Sequence, residues 1–215
     1  MKIYLAEFIG TFAIVFCGTG AIIINEVTHG TIGHVGVAVT FGLIVMTMIY
    51  ALGPISGAHF NPAVTVAFAT MKTFPVNKII PYFVSQFGGA IAASLVLKIL
   101  FPTSELLGVT MPMNTSMQAF IMEIILSFFL VLVILQVAQG SKEQGMFAGL
   151  AIGSVVLLEA MFAGPVSGAS MNPARSLAPA IVSRHFTDIW VYLAAPFIGA
   201  LVAVLICKFF KGNQK

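Results

Sequence analysis

A twelve-residue motif occurs twice in this chain, and the duplication constrains the possible folds more than any other feature. The first copy, Gly53 to Val64, reads GPISGAHFNPAV, and the second copy, Gly164 to Arg175, reads GPVSGASMNPAR. Eight of the twelve positions are identical, and the copies are 111 residues apart in a chain of 215 residues. This spacing indicates a duplicated segment of about half the chain.

Each copy combines a stretch rich in Gly and Ser with an Asn-Pro-Ala triplet and then good helix formers. Asn caps helix N-termini, and Pro is tolerated in the first helical turn because its missing N–H has no partner there. We therefore predict that the Gly/Ser stretches are not helical and that short helices follow, at residues 61–71 and 172–183. These half-helices are too short to cross a bilayer.

Composition indicates a polytopic membrane protein. Hydrophobic residues make up 59% of the chain and charged residues 8%, with a mean hydropathy of +1.05, values that are atypical of a soluble domain. Six apolar segments have the roughly 20 residues that a spanning helix needs. They are predicted at 4–24, 34–52, 79–100, 115–137, 146–164 and 188–210. Irregular backbone at membrane depth is tolerated where it lines a water-filled cavity, so the two motifs predict a pore.

The distribution of basic residues predicts the orientation. Cytoplasmic connections are enriched in Lys and Arg, and with six crossings the two termini lie on the same face. That face carries Lys2, Lys72, Lys78, Lys142, Lys208, Lys211 and Lys215, so we expect both termini in the cytoplasm. Three crossings per half then invert the halves about an axis in the membrane plane. A single channel domain, 1–215, is expected, with halves at about 1–100 and 115–210.

Several other classes of protein find no support in the sequence. Cys17 and Cys207 lie in apolar segments and have no metal-binding or disulfide spacing. No catalytic triad, His pair at i and i+4 or phosphate-binding Gly loop is present, so an enzyme, a metal and a cofactor are not expected. Basic residues occur singly at segment ends, which argues against a nucleic-acid partner.

The motifs resemble those of the aquaporin or major intrinsic protein family. The resemblance rests on the two Asn-Pro-Ala boxes, Asn61-Pro62-Ala63 and Asn172-Pro173-Ala174, on Arg175 directly after the second, and on a Glu in the first helix of each half. It covers residues 5–210. It implies a homotetramer in the plasma membrane whose pores conduct water and small neutral solutes through the surrounding lipid.

The pore chemistry follows from the helix starts. Each half-helix N-terminus carries about half a positive charge, and the amides of Asn61 and Asn172 can donate hydrogen bonds to a passing water. That arrangement should interrupt a proton wire and repel cations. Backbone carbonyls before the boxes are expected to replace lost hydration. The expected carbonyls belong to Gly57, Ala58, His59, Gly168, Ala169 and Ser170.

The resemblance also implies a selectivity filter. Its four positions correspond to Phe41, Ala160, Ala169 and Arg175. Strict water channels usually have His where this chain has Ala160, so a wider filter is expected. Glycerol facilitators usually have Asp where this chain has Ser176. The combination resembles the nodulin-26-like and related microbial branch, for which glycerol, urea, hydrogen peroxide or metalloid hydroxides are the candidate solutes.

Two carboxylates inside apolar segments allow alternative interpretations. Glu7 and Glu123 are expected to support the loops by accepting hydrogen bonds from backbone N–H groups, although a proton relay is the alternative. The role of Glu159 stays open, and His59 either lines the pore or gates it by protonation. The competing functional classes are a secondary transporter with a midplane site between broken helices and a structural membrane protein without permeability.

Overall fold

The computed structural model describes residues 1–138 and 140–212, and every regular element within them is helical. In chain order the helices are α1 (Lys2–Val27), α2 (Gly33–Ser56), α3 (Pro62–Thr70), α4 (Ile79–Leu100), α5 (Ser116–Ala138), α6 (Lys142–Met146), α7 (Ala148–Ser167), α8 (Pro173–Ser183) and α9 (Ile189–Gly212), with a 3-10 turn at Val76–Lys78 before α4. Six of them, α1, α2, α4, α5, α7 and α9, are long and apolar enough to span a membrane.

The all-helical fold class and the six spanning helices are confirmed. One local prediction was wrong, because Gly53 to Ser56 and Gly164 to Ser167 are the last turns of α2 and α7 rather than irregular backbone. A Pro in the last turn of a helix removes only one backbone hydrogen bond. Each helix instead ends at a left-handed glycine, Gly57 (φ 86°) or Gly168 (φ 82°). Lys215, one of the lysines that predict the orientation, lies outside the described residues.

The two halves pack in the same way around close helix crossings. Helix α1 packs on α4, α5 packs on α9, and α2 packs on α7. A Cβ atom on Gly89 would lie 2.2 Å from the Phe8 carbonyl oxygen, and one on Gly199 would lie 2.3 Å from the Ile124 carbonyl oxygen. Small residues permit this approach of two backbones, so the glycines set the distance within each pair.

The chain crosses the bundle six times, so that α1 begins and α9 ends on the same face. We call this the terminal face and the opposite one the distal face. The loop before α3 follows α2 at the terminal face, and the loop before α8 follows α7 at the distal face. Helices α3 and α8 therefore enter from opposite faces and contact each other inside the bundle.

Candidate functional site: two half-helices and a divided cavity

The Asn residues of the two boxes hold the half-helices together. Each caps its own helix: Oδ1 of Asn61 accepts a hydrogen bond from the Ala63 N–H (2.9 Å), and Oδ1 of Asn172 accepts one from the Ala174 N–H (3.0 Å). Each also reaches across to the other half. Nδ2 of Asn61 donates to the Met171 carbonyl (2.8 Å), and Nδ2 of Asn172 donates to the Phe60 carbonyl (2.9 Å).

These hydrogen bonds between the halves have a chemical consequence that the sequence motifs did not indicate. A side-chain amide has two N–H bonds and one acceptor oxygen. Since the oxygen caps the helix and one N–H bonds to the opposite loop, Asn61 and Asn172 each retain one N–H. Both residues line the same cavity, and Pro62, Ala63, Pro173 and Ala174 lie buried beside them as the first residues of α3 and α8.

The loops before the boxes have a strained backbone that carboxylates support. Ala58, Phe60, Ala169 and Met171 all have φ between 40° and 53°, a region that residues other than Gly rarely occupy. In the first loop Glu7, which is fully buried, accepts hydrogen bonds from four groups. The donors are Ser56 Oγ (2.7 Å), His59 N (3.0 Å), Phe60 N (2.7 Å) and Gln86 Nε2 (2.8 Å).

Glu123 occupies the corresponding place in the second half. It is fully buried and accepts hydrogen bonds from Ser167 Oγ (2.7 Å), Ser170 N (2.9 Å) and Met171 N (2.8 Å). Burying backbone N–H groups without partners would cost about 1–3 kcal/mol each. The two carboxylates thus satisfy the loop donors in the low-dielectric interior, where water is scarce.

A cavity of about 380 Å³ runs from the terminal face past the boxes to Arg175. At the mouth it is lined by Tyr50, Met146 and Gly149, and deeper by apolar side chains of α2, α5 and α7. The expected carbonyl residues Gly57, Ala58, His59, Ala169 and Ser170 line it as well. Its wall is thus mostly apolar, with polar groups from the two loops, the two Asn caps, Arg175 and, at the mouth, Tyr50.

A second cavity of about 470 Å³ lies on the distal side and includes Gly168 in its wall. Four residues line both cavities: Phe41, Ala160, Ala169 and Arg175. These are the four residues that the resemblance implied for a filter. The structure therefore brings them together at the boundary between the two cavities.

Arg175 is held at this boundary by contacts that sequence reasoning did not identify. It is 2% exposed, Nη1 donates to the Gly108 carbonyl (2.8 Å), and its guanidinium carbon lies 5.3 Å from the centroid of the Phe41 ring. Gly108 belongs to the connection at residues 101–115. In the same connection, Oγ1 of Thr110 donates a hydrogen bond to Oγ of Ser176 (2.9 Å). No motif marks that connection, so only the folded chain identifies it as part of the site.

The two residues with open interpretations lie in different surroundings. His59 lines the terminal-side cavity, stacks on Phe68 with ring centroids 4.7 Å apart, and places Nδ1 3.1 Å from Thr65 Oγ1. Glu159 is 4% exposed, lines neither cavity, and has no hydrogen-bond partner among the described residues. The sequence left the role of Glu159 open, and the structure buries this residue outside the linings of both cavities.

Comparisons with known proteins agree with this architecture. The family model of the major intrinsic proteins matches residues 1–207. The chain is 47% identical over 212 residues to a probable aquaporin NIP4-2 of Arabidopsis thaliana, covering 98% of this chain and 75% of that protein. It is 42% identical over 212 residues to nodulin-26 of Glycine max, covering 98% of this chain and 78% of that protein.

A solved structure has the same fold. The X-ray structure of the aquaglyceroporin from Plasmodium falciparum superposes with a TM-score of 0.86 at 26% sequence identity, covering 95% of this chain and 93% of that one. The expected resemblance and the expectation of a non-enzyme are confirmed, and nothing in the comparisons favours a secondary transporter. The chain belongs to the major intrinsic protein family and is a passive membrane channel for water and small solutes, not an enzyme.

Proposed function

We propose that this channel passes small uncharged solutes beside water, and that Phe41, Ala160, Ala169 and Arg175 form its selectivity filter. The observation that carries the proposal is that these four residues line both cavities. A molecule that moves from one cavity to the other has to pass them. Candidate solutes are glycerol, urea, hydrogen peroxide and metalloid hydroxides, and they move down their own gradients.

The filter combines one charged, one aromatic and two small residues. Arg175 and Phe41 face one another, whereas Ala160 and Ala169 contribute only methyl groups. An imidazole at position 160 would narrow the passage and add a donor. The methyl group of Ala160 leaves a wider passage with an apolar wall. This wall suits the carbon backbone of a polyol, while Arg175 donates hydrogen bonds to its hydroxyls.

The boxes and their loops exclude ions and protons in this proposal. The N-termini of α3 and α8 meet at the wall of the terminal-side cavity, and each contributes a partial positive charge. The remaining N–H groups of Asn61 and Asn172 orient the oxygen of a passing water, while carbonyls of residues 57–59 and 168–170 accept from its hydrogens. Glu7 and Glu123 keep the loops in place, a role supported by their hydrogen bonds.

We further propose a homotetramer in the lipid of the plasma membrane with both termini in the cytoplasm. The support is the excess of lysines on the terminal face, including Lys72, Lys78 and Lys208, because cytoplasmic connections are enriched in basic residues. A single channel domain then comprises both inverted halves. The terminal-side cavity opens to the cytoplasm and the distal cavity to the outside.

Stopped-flow light scattering on proteoliposomes tests the filter. The wild-type channel should pass water, glycerol and urea without saturation, and Ala160→His should lower the glycerol and urea fluxes more than the water flux. Ser154→His is the matched control, because Ser154 is an exposed residue of the same helix. Saturating flux would favour a transporter, and an equal effect of Ala160→His on all three permeants would contradict the filter.

A further inference from the structure

His34 lies at the start of α2 and bonds to a carbonyl that a proline has released. Pro165 is inside α7 and has no N–H, so the carbonyl four residues earlier, that of Met161, lacks its helical partner. Nε2 of His34 lies 2.6 Å from that carbonyl oxygen. Met161 directly follows Ala160, so the imidazole is hydrogen-bonded to the helix that carries this residue of the proposed filter.

This contact determines which nitrogen of His34 is free. A carbonyl only accepts hydrogen bonds, so Nε2 must carry the proton, and in the neutral ring Nδ1 is then an acceptor. No hydrogen bond to Nδ1 is found in the described part of the chain. The ring is also confined, since a Cβ on Gly164 would lie 2.9 Å from its Cε1 atom. His34 therefore presents a fixed acceptor.

The acceptor belongs to the wall of the distal cavity. Among the residues that line this cavity, the ionisable ones are His34 and Arg175. Helix α1 contributes Asn25 to the wall and the 101–115 connection contributes Val109 and Met111. Arg175 is 98% buried, and its Nε atom has no hydrogen-bond partner among the described residues. The wall of the cavity thus contains an acceptor, Nδ1 of His34, and a cation, Arg175.

The positions of the two groups suit sequential binding. His34 precedes Phe41 by seven residues on α2, which corresponds to about 10 Å along the helix axis. His34 is exposed to the distal face, whereas Arg175 lies at the boundary with the second cavity. A solute arriving from the distal side therefore meets the imidazole before it meets the filter.

We propose that His34 forms a solute-binding subsite on the distal side of the filter that selects small neutral molecules carrying hydrogen-bond donors, such as polyols or ureas. The inference rests on the proposed function, since it concerns the solutes rather than water. Nδ1 of the imidazole accepts a hydrogen bond from a hydroxyl or amide N–H of the solute.

Stopped-flow light scattering on proteoliposomes with glycerol, urea or purely osmotic gradients tests the subsite. His34→Phe removes both hydrogen bonds and should lower the glycerol and urea fluxes by roughly two- to tenfold, the factor that one hydrogen bond contributes. Water flux should change much less. His34→Gln can still donate to the Met161 carbonyl and accept from a solute, so it should retain the solute fluxes.

A control variant outside the cavity wall makes the result decisive. His29→Asn changes an exposed histidine of the same face outside the cavity wall and should behave as the wild type. Glycerol and urea fluxes that are unchanged in His34→Phe, or lowered equally in His34→Phe and His34→Gln, overturn the subsite. If the wild type passes neither glycerol nor urea, the proposed function itself fails.

Discussion

The two loop sites share one scaffold but differ in what surrounds it. In both halves a buried Glu accepts hydrogen bonds from a Ser hydroxyl and two loop N–H groups, and a Tyr hydroxyl donates to that Ser's carbonyl at 2.7 Å. The tyrosines are Tyr82 and Tyr192. The difference begins two residues before each Asn, where the first half has His59 and the second has Ser170.

In the first half the surroundings are aromatic and amide groups. The ring centroid of His59 lies 4.7–5.1 Å from the ring centroids of Phe68, Phe74 and Tyr82. The side-chain amide of Gln86 donates hydrogen bonds to both Glu7 and Thr65. In the second half Ser170 and Thr110 both contact the hydroxyl of Ser176. The halves therefore share the support of the backbone but not the side chains along the passage, and the second half has the cation Arg175 where the first has Val64.

Removing the shared carboxylates should have the largest effect. Glu7→Leu leaves four donors unsatisfied and Glu123→Leu leaves three, at about 1–3 kcal/mol for each buried donor. Both variants should lose folded channel, Glu7→Leu the more severely. Thermal unfolding in detergent measures this, with Glu7→Gln and Glu123→Gln as controls that keep one acceptor oxygen. A Leu variant with the wild-type midpoint would show that the loop needs no such support.

Replacing the cation that follows the second box with the residue that follows the first box should remove the electrostatic barrier to cations. Arg175→Val copies Val64 of the first half. A unit charge about 5 Å from a passing cation costs it about 3 kcal/mol at an effective dielectric of 20, so cation or proton leakage should rise on the order of one hundredfold. A pH-sensitive dye inside liposomes measures the leak, and Arg175→Lys should retain most of the barrier. Unchanged leakage would assign the exclusion to the boxes alone.

The close crossings should respond equally in the two halves. Gly89→Ala and Gly199→Ala each place a methyl group on a backbone carbonyl, and overpacking of this kind costs about 1–3 kcal/mol or more. Gly88→Ala is the matched control, because its Cβ would lie at an ordinary 3.5 Å from the Phe8 ring. Thermal unfolding midpoints in detergent measure the loss of stability in each variant. Losses restricted to one half would mean that the halves do not share their packing.

The smallest effects are expected from the hydroxyls that differ between the halves. Thr65→Val leaves Gln86 Nε2 without this acceptor and His59 Nδ1 without its partner, so a loss of about 1–3 kcal/mol is expected. Ser176→Ala should cost less, about 0.5–1.5 kcal/mol, since Ser170 can still donate to the Asn172 carbonyl (3.0 Å). Unfolding midpoints in detergent measure both, and the reverse order would contradict this view of the two networks.

Features that depend on local pattern could be predicted. The Asn-Pro-Ala boxes predicted where α3 and α8 begin, because capping involves neighbouring residues. Six apolar runs predicted the spanning helices, because the length of an apolar run is also a local property of the sequence. The ends of α2 and α7 could not be placed, since Pro54 and Pro165 are usual signals for ending a helix. Here the helices continue to the next glycine.

The sequence by itself determined the class of protein: an apolar, duplicated chain with two helix starts inside the bilayer must enclose its irregular backbone, because lipid offers that backbone no hydrogen bonds. Only the tertiary structure decided the partners. Asn61 bonds to Met171, Gly108 holds Arg175, and His34 bonds to Met161. Each pair is separated by 67 or more residues, and proximity across the bundle, which no local pattern encodes, brings these donors and acceptors together.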